Sequence, residues 1–220
     1  MDERPPRRAL LFAGGDAPPA DLSRELPDDA FVVAADSGVE HALALGRAVD
    51  VAVGDFDSCS PAALPEAKAA GTRIERHPSA KDATDLELAL DAARAAGARR
   101  ITIVGGHGGR LDHLLGNALL LAAPAFADID LDALMGPARV VVVRAETSLP
   151  GRVGELVSLL PIGGPAVGVT TRGLRFPLRR EDLHPGTTRG VSNEFTEPEA
   201  VVALETGVLL AVQPEYRGQP

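Results

Sequence analysis

The chain has 220 residues, 45% of them hydrophobic and 3% aromatic, with a formal net charge of −9. That is enough apolar material for one large domain or two small ones, each with a real core. The acidic balance argues against a nucleic-acid groove or an anionic membrane surface, since both need clustered Lys and Arg to neutralise phosphates.

Lys68 and Lys81 are the only lysines and Cys59 the only cysteine, so no intrachain disulfide and no cysteine-based zinc site can form. The opening Met1 to Arg8 is charged, and the apolar Ala9 to Ala13 after it is too short for a signal-peptide core. No apolar run approaches the roughly 18 residues of a membrane span. The expectation is a cytoplasmic protein.

From Ala9 to about Ala125, short β-type runs alternate with helix-type runs, the pattern of parallel βαβ units. Ala9 to Ala13 exits at Gly14-Gly15-Asp16, and Ala30 to Ala34 leads to Asp36-Ser37-Gly38. Val51 to Val53 exits at Gly54-Asp55, and Ile101 to Val104 at Gly105-Gly106. Helix-type stretches lie at about Val39 to Leu45, Pro61 to Ala70, Asp85 to Ala96 and Leu111 to Ala123. In such sheets ligands bind outside the carboxyl ends of the strands, where all four acidic or glycine-rich exits lie.

After about Pro124 the character changes. Val140 to Val143, Leu156 to Leu160, Val167 to Thr171, Val201 to Leu204 and Val208 to Val212 are short strand candidates separated by Gly and Pro turns. The fold expected is therefore α/β: a parallel-sheet domain over residues 1–135, then a small antiparallel all-β sandwich or roll over 136–220. The boundary falls within 125–138.

Three motifs carry most of the chemistry. In Gly54-Asp55-Phe56-Asp57-Ser58 the aspartates are two apart, so an extended backbone points both to one side, as a hard oxygen-seeking cation requires. A loop with two Asx-turns is the plainer alternative. In Lys81-Asp82-Ala83-Thr84-Asp85, Asp82 and Asp85 have the spacing of a helix cap and its reply, while a helix N-terminus beside Lys81 also suits a phosphate.

The third motif, Gly108-Gly109-Arg110-Leu111-Asp112-His113, follows Gly105-Gly106-His107. It has glycines that expose backbone N–H groups ahead of a helix, and Arg110 for a bidentate phosphate contact. It fits neither a Walker A loop nor G-x-G-x-x-G. Asp112 could bind metal, act as a base or cap the helix, and His113 is either a ligand or an ordinary helix residue. Carboxylates that converge without cationic partners repel, and a bound divalent cation relieves them, so a Mg²⁺-phosphate site is the leading reading.

Downstream, Ser192-Asn193-Glu194 is a dense polar cluster able to recognise an amine-bearing ring, or simply a turn. His41, His77 and His184 have no partner visible in the sequence. Cys59 lacks a paired base and reads as a small packed residue.

Taken in order, Asp36-Ser37-Gly38, the three motifs and Val191-Ser192-Asn193-Glu194-Phe195 resemble the bacterial-type thiamine pyrophosphokinases, over about Ala9 to Val212. The resemblance implies transfer of the β,γ-pyrophosphoryl group of ATP to the alcohol of thiamine, giving thiamine diphosphate and AMP. It also implies that the first domain is a Rossmann-like nucleotide-binding domain, that the β domain helps bind thiamine, and that the protein is a homodimer with active sites between subunits. By position, Asp55, Asp57 and Asp82 would hold Mg²⁺, with Asp36, Asp85 and Asp112 nearby as further ligands or orienting groups. Lys81 and Arg110 would grip the phosphates, with Gly109 and His113 at the same site, and Ser192 and Asn193 would contact thiamine. Asp55, Asp57, Asp82 and Asp112 are the catalytic candidates.

One departure stands out. Some members of that family stack thiamine on a tryptophan from the partner subunit, and this chain has no Trp. Phe176, Phe195 and Tyr216 are the replacements on offer. Alternatively the acceptor is another heteroaromatic alcohol, such as a hydroxymethylpterin, or the fold is kept as a non-catalytic vitamin or nucleotide sensor.

Overall fold

The computed structural model describes residues 7–216 and 218. The charged start, Met1 to Pro6, lies outside the described residues. The chain divides into two compact units, residues 1–117 with 128–136 and residues 118–127 with 137–220.

The first unit is built on six parallel strands: β1 (Arg7–Phe12), β2 (Phe31–Ala35), β3 (Val51–Gly54), β4 (Arg73–Arg76), β5 (Ala98–Val104) and β6 (Asp130–Met135). Their spatial order is β6-β5-β1-β2-β3-β4. Central β1 buries Leu10, Leu11 and Phe12 completely, because a strand covered on both faces reads as a continuous apolar run rather than an alternation.

Four helices join these strands: α1 (Gly38–Ala44), α2 (Ala63–Ala69), α3 (Asp85–Ala95) and α4 (Leu111–Leu121). α1 and α2 share a core with Leu10, Phe12, Ala34 and Ala52. α3 buries Leu86, Ala89, Leu90 and Ala93, one helical face, against β1, β2, β3 and β5.

Two strands of this unit escaped the sequence reading. β4, Arg-Ile-Glu-Arg, is an edge strand with both arginines exposed, so it carries no apolar run to detect. β6 alternates exposed or half-buried with buried residues and pairs in parallel with β5 from Arg100↔Asp130 to Val104↔Leu134. It lies inside the segment read as a domain boundary.

The cap of α3 also differs from expectation. Thr84, not Asp82, is the N-cap: its side chain accepts a hydrogen bond from the N–H of Glu87 at 3.2 Å. Thr84-x-x-Glu87 has the sequence spacing of a capping box.

The second unit is all β apart from the end of α4 and a short 3-10 turn. One antiparallel sheet has the order β12 (Asn193–Glu194), β9 (Leu156–Pro161), β14 (Leu209–Gln213), β7 (Ala138–Val143). The other has β11 (Arg179–Leu183), β10 (Ala166–Arg172), β13 (Glu199–Ala203), β8 (Thr147–Pro150). Inward residues of both, including Val143, Leu159, Val169, Val202 and Phe195, form one core, as in a sandwich. Among the described residues no helix is long and apolar enough to cross a membrane.

What positions a site in the first unit is strand order. β1 sits between β2 and β5, so strand order reverses beside it, and in such sheets the ligand crevice lies outside the carboxyl ends of the strands at that point. Backbone bonds stitch those loops together, from Gly106 N–H to the Gly14 carbonyl at 2.8 Å and from Asp16 N–H to the His107 carbonyl at 2.9 Å.

The cap assignment is testable by urea denaturation. Thr84→Ala should lower stability by about 1 kcal/mol, whereas Asp82→Ala should change it by less than about 0.5 kcal/mol.

Candidate active site

A cleft of ≈ 570 Å³ opens at the carboxyl ends of the parallel strands, entirely within the first unit. Glycine turns from the loops after β1 and β5 form one wall, and Asp36, Asp55, Lys81 and Asp85 stand among the residues lining the rest. Gly105, Gly106, Gly108 and Gly109 all have positive φ. Glycine is required at Gly105 for a second reason, since a Cβ there would lie 2.6 Å from the Ala13 carbonyl oxygen. Asn117 of α4 secures this loop by donating from its carboxamide to the Gly106 carbonyl at 2.9 Å.

Asp36 leaves β2, and Asp55 and Asp57 follow β3, which pairs with β2 in parallel. Each of the three offers a carboxylate oxygen, and these oxygens lie within 4.8 Å of one another. Asp55 and Asp57 do not converge through an extended backbone. Phe56 between them is left-handed, with φ of 64°, and the Asp57 N–H donates to Asp55 Oδ1 at 3.2 Å. The Asx-turn reading is thus realised at Asp55 alongside the convergence, while the Asp57 carboxylate accepts from the Ser58 hydroxyl. Asp36 is left-handed as well, with φ of 48°.

Asp82 is exposed and belongs neither to this cluster nor to the cleft lining. Asp36 is the third member of the cluster, and Asp82 lies two residues before Thr84, the cap of α3.

The electrostatics fit a divalent cation. Burial pushes the Asp36 carboxyl above its ordinary pKa, Asp85 and Asp57 push it the same way, and hydrogen bonds from the Ser37 backbone and the Ser58 side chain only partly offset this. Asp55 is shifted down, first by a hydrogen bond from the Ser79 hydroxyl and then by the Asp57 N–H. The nearby cation is already engaged: Lys81 Nζ lies 2.7 Å from Asp85 Oδ1. Three hard oxygens with a residual repulsion suit a hard divalent cation.

Arg110 forks onto Asp112, Nε to Oδ1 at 3.2 Å and Nη2 to Oδ2 at 2.6 Å, holding that carboxyl down at about 2. Both are exposed, and with Gly109 and His113 they line the cleft mouth. Cys59 is excluded as a nucleophile: burial first, and then Asp36 and Glu40, push its thiol up to about 12.

His41, which had no partner in the sequence, has one in the fold, with Nδ1 2.9 Å from the Ala13 carbonyl oxygen. Ser79 and Asn117 were not singled out from the sequence. A lone hydroxyl or carboxamide carries no spacing signal, although Asn117 lies four residues beyond His113 on the same helix.

In the second unit, Ser192 is left-handed, with φ of 56°, and its N–H donates to Ser158 Oγ. Asn193 departs from expectation. It is 4% exposed, its Oδ1 accepts from the N–H groups of Phe176 and Glu194, and its Nδ2 donates to the Phe176 carbonyl at 2.8 Å. Its carboxamide therefore holds the Phe176 loop and is not left open to a ligand. Of the three aromatic candidates, Phe195 is fully buried, Tyr216 packs beneath Arg139, and Phe176 is 52% exposed.

With this geometry in hand, two family models match the chain: "Thiamin pyrophosphokinase, catalytic domain" over residues 22–132 and "Thiamin pyrophosphokinase, vitamin B1 binding domain" over residues 144–209. A thiamine pyrophosphokinase of Bacillus subtilis is 26% identical over 201 residues, 88% of this chain and 91% of that protein. The crystal structure of a Bacillus subtilis thiamine pyrophosphokinase superposes with a TM-score of 0.83 at 26% identity, covering 94% of this chain and 98% of that one. A thiamin pyrophosphokinase from Geobacillus thermodenitrificans gives 0.81 at 27% identity, covering 96% and 98%.

The raised pKa of Asp36 has a definite sign. Folding favours its protonated form, a contribution fully present below the unfolded pKa and lost as pH rises through the folded one. At neutral pH, without metal, ionised Asp36 therefore opposes folding. Metal-free Asp36→Asn, whose side chain tolerates the left-handed backbone, should melt above the parent at pH 7, and the gap should close below about pH 4. Thermal melts across pH in a chelator measure this, and a parent that melts higher at pH 7 would refute it.

Proposed function

The chain belongs to the thiamin pyrophosphokinase family, and on that premise we propose that its cleft binds ATP with Mg²⁺ and transfers the pyrophosphoryl group to thiamine. The observation that carries this is the meeting of Asp36, Asp55 and Asp57 beside a cleft whose lining includes Asp36, Asp55, Lys81, Arg110 and a glycine-rich turn, with the exposed Asp57 just outside that lining. The alternative acceptor, a hydroxymethylpterin, is not favoured, because both family models are those of thiamine enzymes.

In this reading the first unit is the catalytic ATP-binding domain and the second contributes to thiamine binding. The reversal of strand order beside β1 supports a Rossmann-like description of the nucleotide domain. Asp36, Asp55 and Asp57 would hold the cation. When bound, the cation supplies charge neutralisation for the phosphate oxygens.

The chain's own groups do the rest. The glycine-rich turn, with the start of α4, offers backbone N–H groups to phosphate oxygens. Arg110 exchanges Asp112 for a phosphate, and Lys81 reaches the polyphosphate while Asp85 orients it. The hydroxyl oxygen of thiamine bonds to the β-phosphorus, the bond from that phosphorus to the α–β bridging oxygen breaks, and AMP departs. The hydroxyl proton goes to a carboxylate of the cleft. Asp112, held at about 2, is a poor base while Arg110 holds it.

Phe176 is the aromatic face we assign to the thiamine rings. It is exposed and fixed by Asn193, and the Arg175 guanidinium lies 5.7 Å from its ring centroid. Ser192 completes that contact. We also assign a homodimer. α4 exposes Leu111, Leu115 and Leu119 at 67%, 55% and 61%, a stripe at i, i+4 and i+8 that water covers poorly.

³¹P NMR of the protein with ATP, Mg²⁺ and thiamine should show thiamine-dependent AMP and a diphosphate ester. Asp57→Asn should lose at least about 100-fold in kcat with an unchanged melting profile, and Phe176→Ala should raise the thiamine KM about tenfold with kcat less affected. ADP in place of AMP would refute pyrophosphoryl transfer. For the dimer, sedimentation should give twice the chain mass for the parent and a shift towards monomer for Leu115→Glu. A parent that sediments as a monomer would refute it.

A further inference from the structure

We propose that Arg76 is a positioning residue that clamps the Asp55–Asp57 loop in its ligand-presenting shape; this rests on the reading that Asp36, Asp55 and Asp57 hold the cation. Arg76 is the last residue of β4 and pairs in register with Gly54, the last residue of β3. From there its Nη1 donates to the Asp55 carbonyl at 2.7 Å, and its Cζ lies 5.2 Å from the centroid of the Phe56 ring.

Those contacts fall on the two residues that set the loop. Phe56 holds a left-handed φ that a bulky side chain resists, and such a conformation persists only where its surroundings over-determine it. The ring is fixed from below by burial, at 7% exposure, and from outside by the guanidinium. The hydrogen bond fixes the Asp55 peptide, and Asp57 then follows through its N–H to Asp55 Oδ1. The far end of the loop is tied separately, the Ser60 N–H donating to Glu40 Oε1 at 2.5 Å. Arg76 adds to the anchors already present, the Ser79 hydroxyl on the Asp55 carboxylate and the Cys59 N–H on the Phe56 carbonyl, by fixing the Asp55 peptide and the outer face of the Phe56 ring.

Charge is not the reason for an arginine here. A cation beside a cation site weakens that site by repulsion, although an exposed group does so only modestly. The useful property is the planar fork, which stacks on a ring and donates sideways at once, and which lysine lacks. Arg76→Lys therefore separates the two roles, because it keeps the charge and loses the plane.

The test uses Mn²⁺ as probe, with the full chain and no nucleotide. Free Mn²⁺ is read by electron paramagnetic resonance, and hydrogen exchange of residues 54–58 is read without metal. Arg76→Lys should weaken Mn²⁺ binding about five- to twentyfold and speed exchange in 54–58, with little change in melting temperature. Phe56→Leu should act in the same direction, and the double variant should be weaker than the worse single variant by less than about twofold, since the two side chains form one contact.

Wild-type Mn²⁺ affinity and exchange in Arg76→Lys would overturn the proposal. If the parent binds no Mn²⁺, or Asp57→Asn binds it unchanged, the cation-site reading fails and the clamp on its ligands falls with it. If Asp57→Asn loses Mn²⁺ while Arg76→Lys does not, the reading stands and only the clamp is overturned.

Discussion

The carboxylates of Asp36, Asp55 and Asp57 come within 4.8 Å of one another at the ends of two neighbouring strands, and like charges at that spacing repel unless something of opposite sign is placed among them. Much of the first unit can be understood as the means of holding that arrangement. Parallel pairing of β2 with β3 places both exits on one edge of the sheet. Ser79 and the Asp57 N–H stabilise the ionised form of Asp55, and Lys81 balances Asp85 beside them. Asp36 is left with burial and repulsion against it, and its raised pKa marks where a cation would do most.

The backbone carries strain in the same places. Among the described residues, four non-glycine residues have positive φ, and three of them, Asp36, Phe56 and Ser192, lie in the motifs singled out from the sequence. Such conformations each cost on the order of 1–3 kcal/mol and need surrounding structure to persist. Here that support is visible as the Val53 carbonyl accepting the Asp36 N–H, the burial of Phe56 and the Ser158 hydroxyl accepting the Ser192 N–H. Glycine carries the comparable burden in the loop after β5, where backbone must pass close to backbone.

The second unit solves a different problem. A sandwich of short strands buries its alternating residues in one core, and its polar turns are then free to vary. Asn193 links the two demands: its buried carboxamide ties the β12 strand to the Phe176 loop, so an exposed aromatic ring stands on a fixed base. An asparagine singled out in the sequence for its polarity is here the support of a loop.

The sequence alone was sufficient for the alternation of strand and helix, the change of character in the second half, and the ordered acidic motifs, because each of these is a local pattern of period, turn residue or spacing. β4 and β6 were not legible: an edge strand of charged residues and a strand inside a boundary segment are recognisable only by what they pair with. That Asp36 stands beside Asp55 and Asp57 was also decided by tertiary structure, since the β2–β3 pairing is what brings Asp36 to Asp55. The partners of His41, Asn193 and Arg76 have the same origin. Residue type and spacing determine which chemistry a chain can perform, but which side chains meet depends on strand register and loop geometry, and those are set by contacts between residues far apart in the chain.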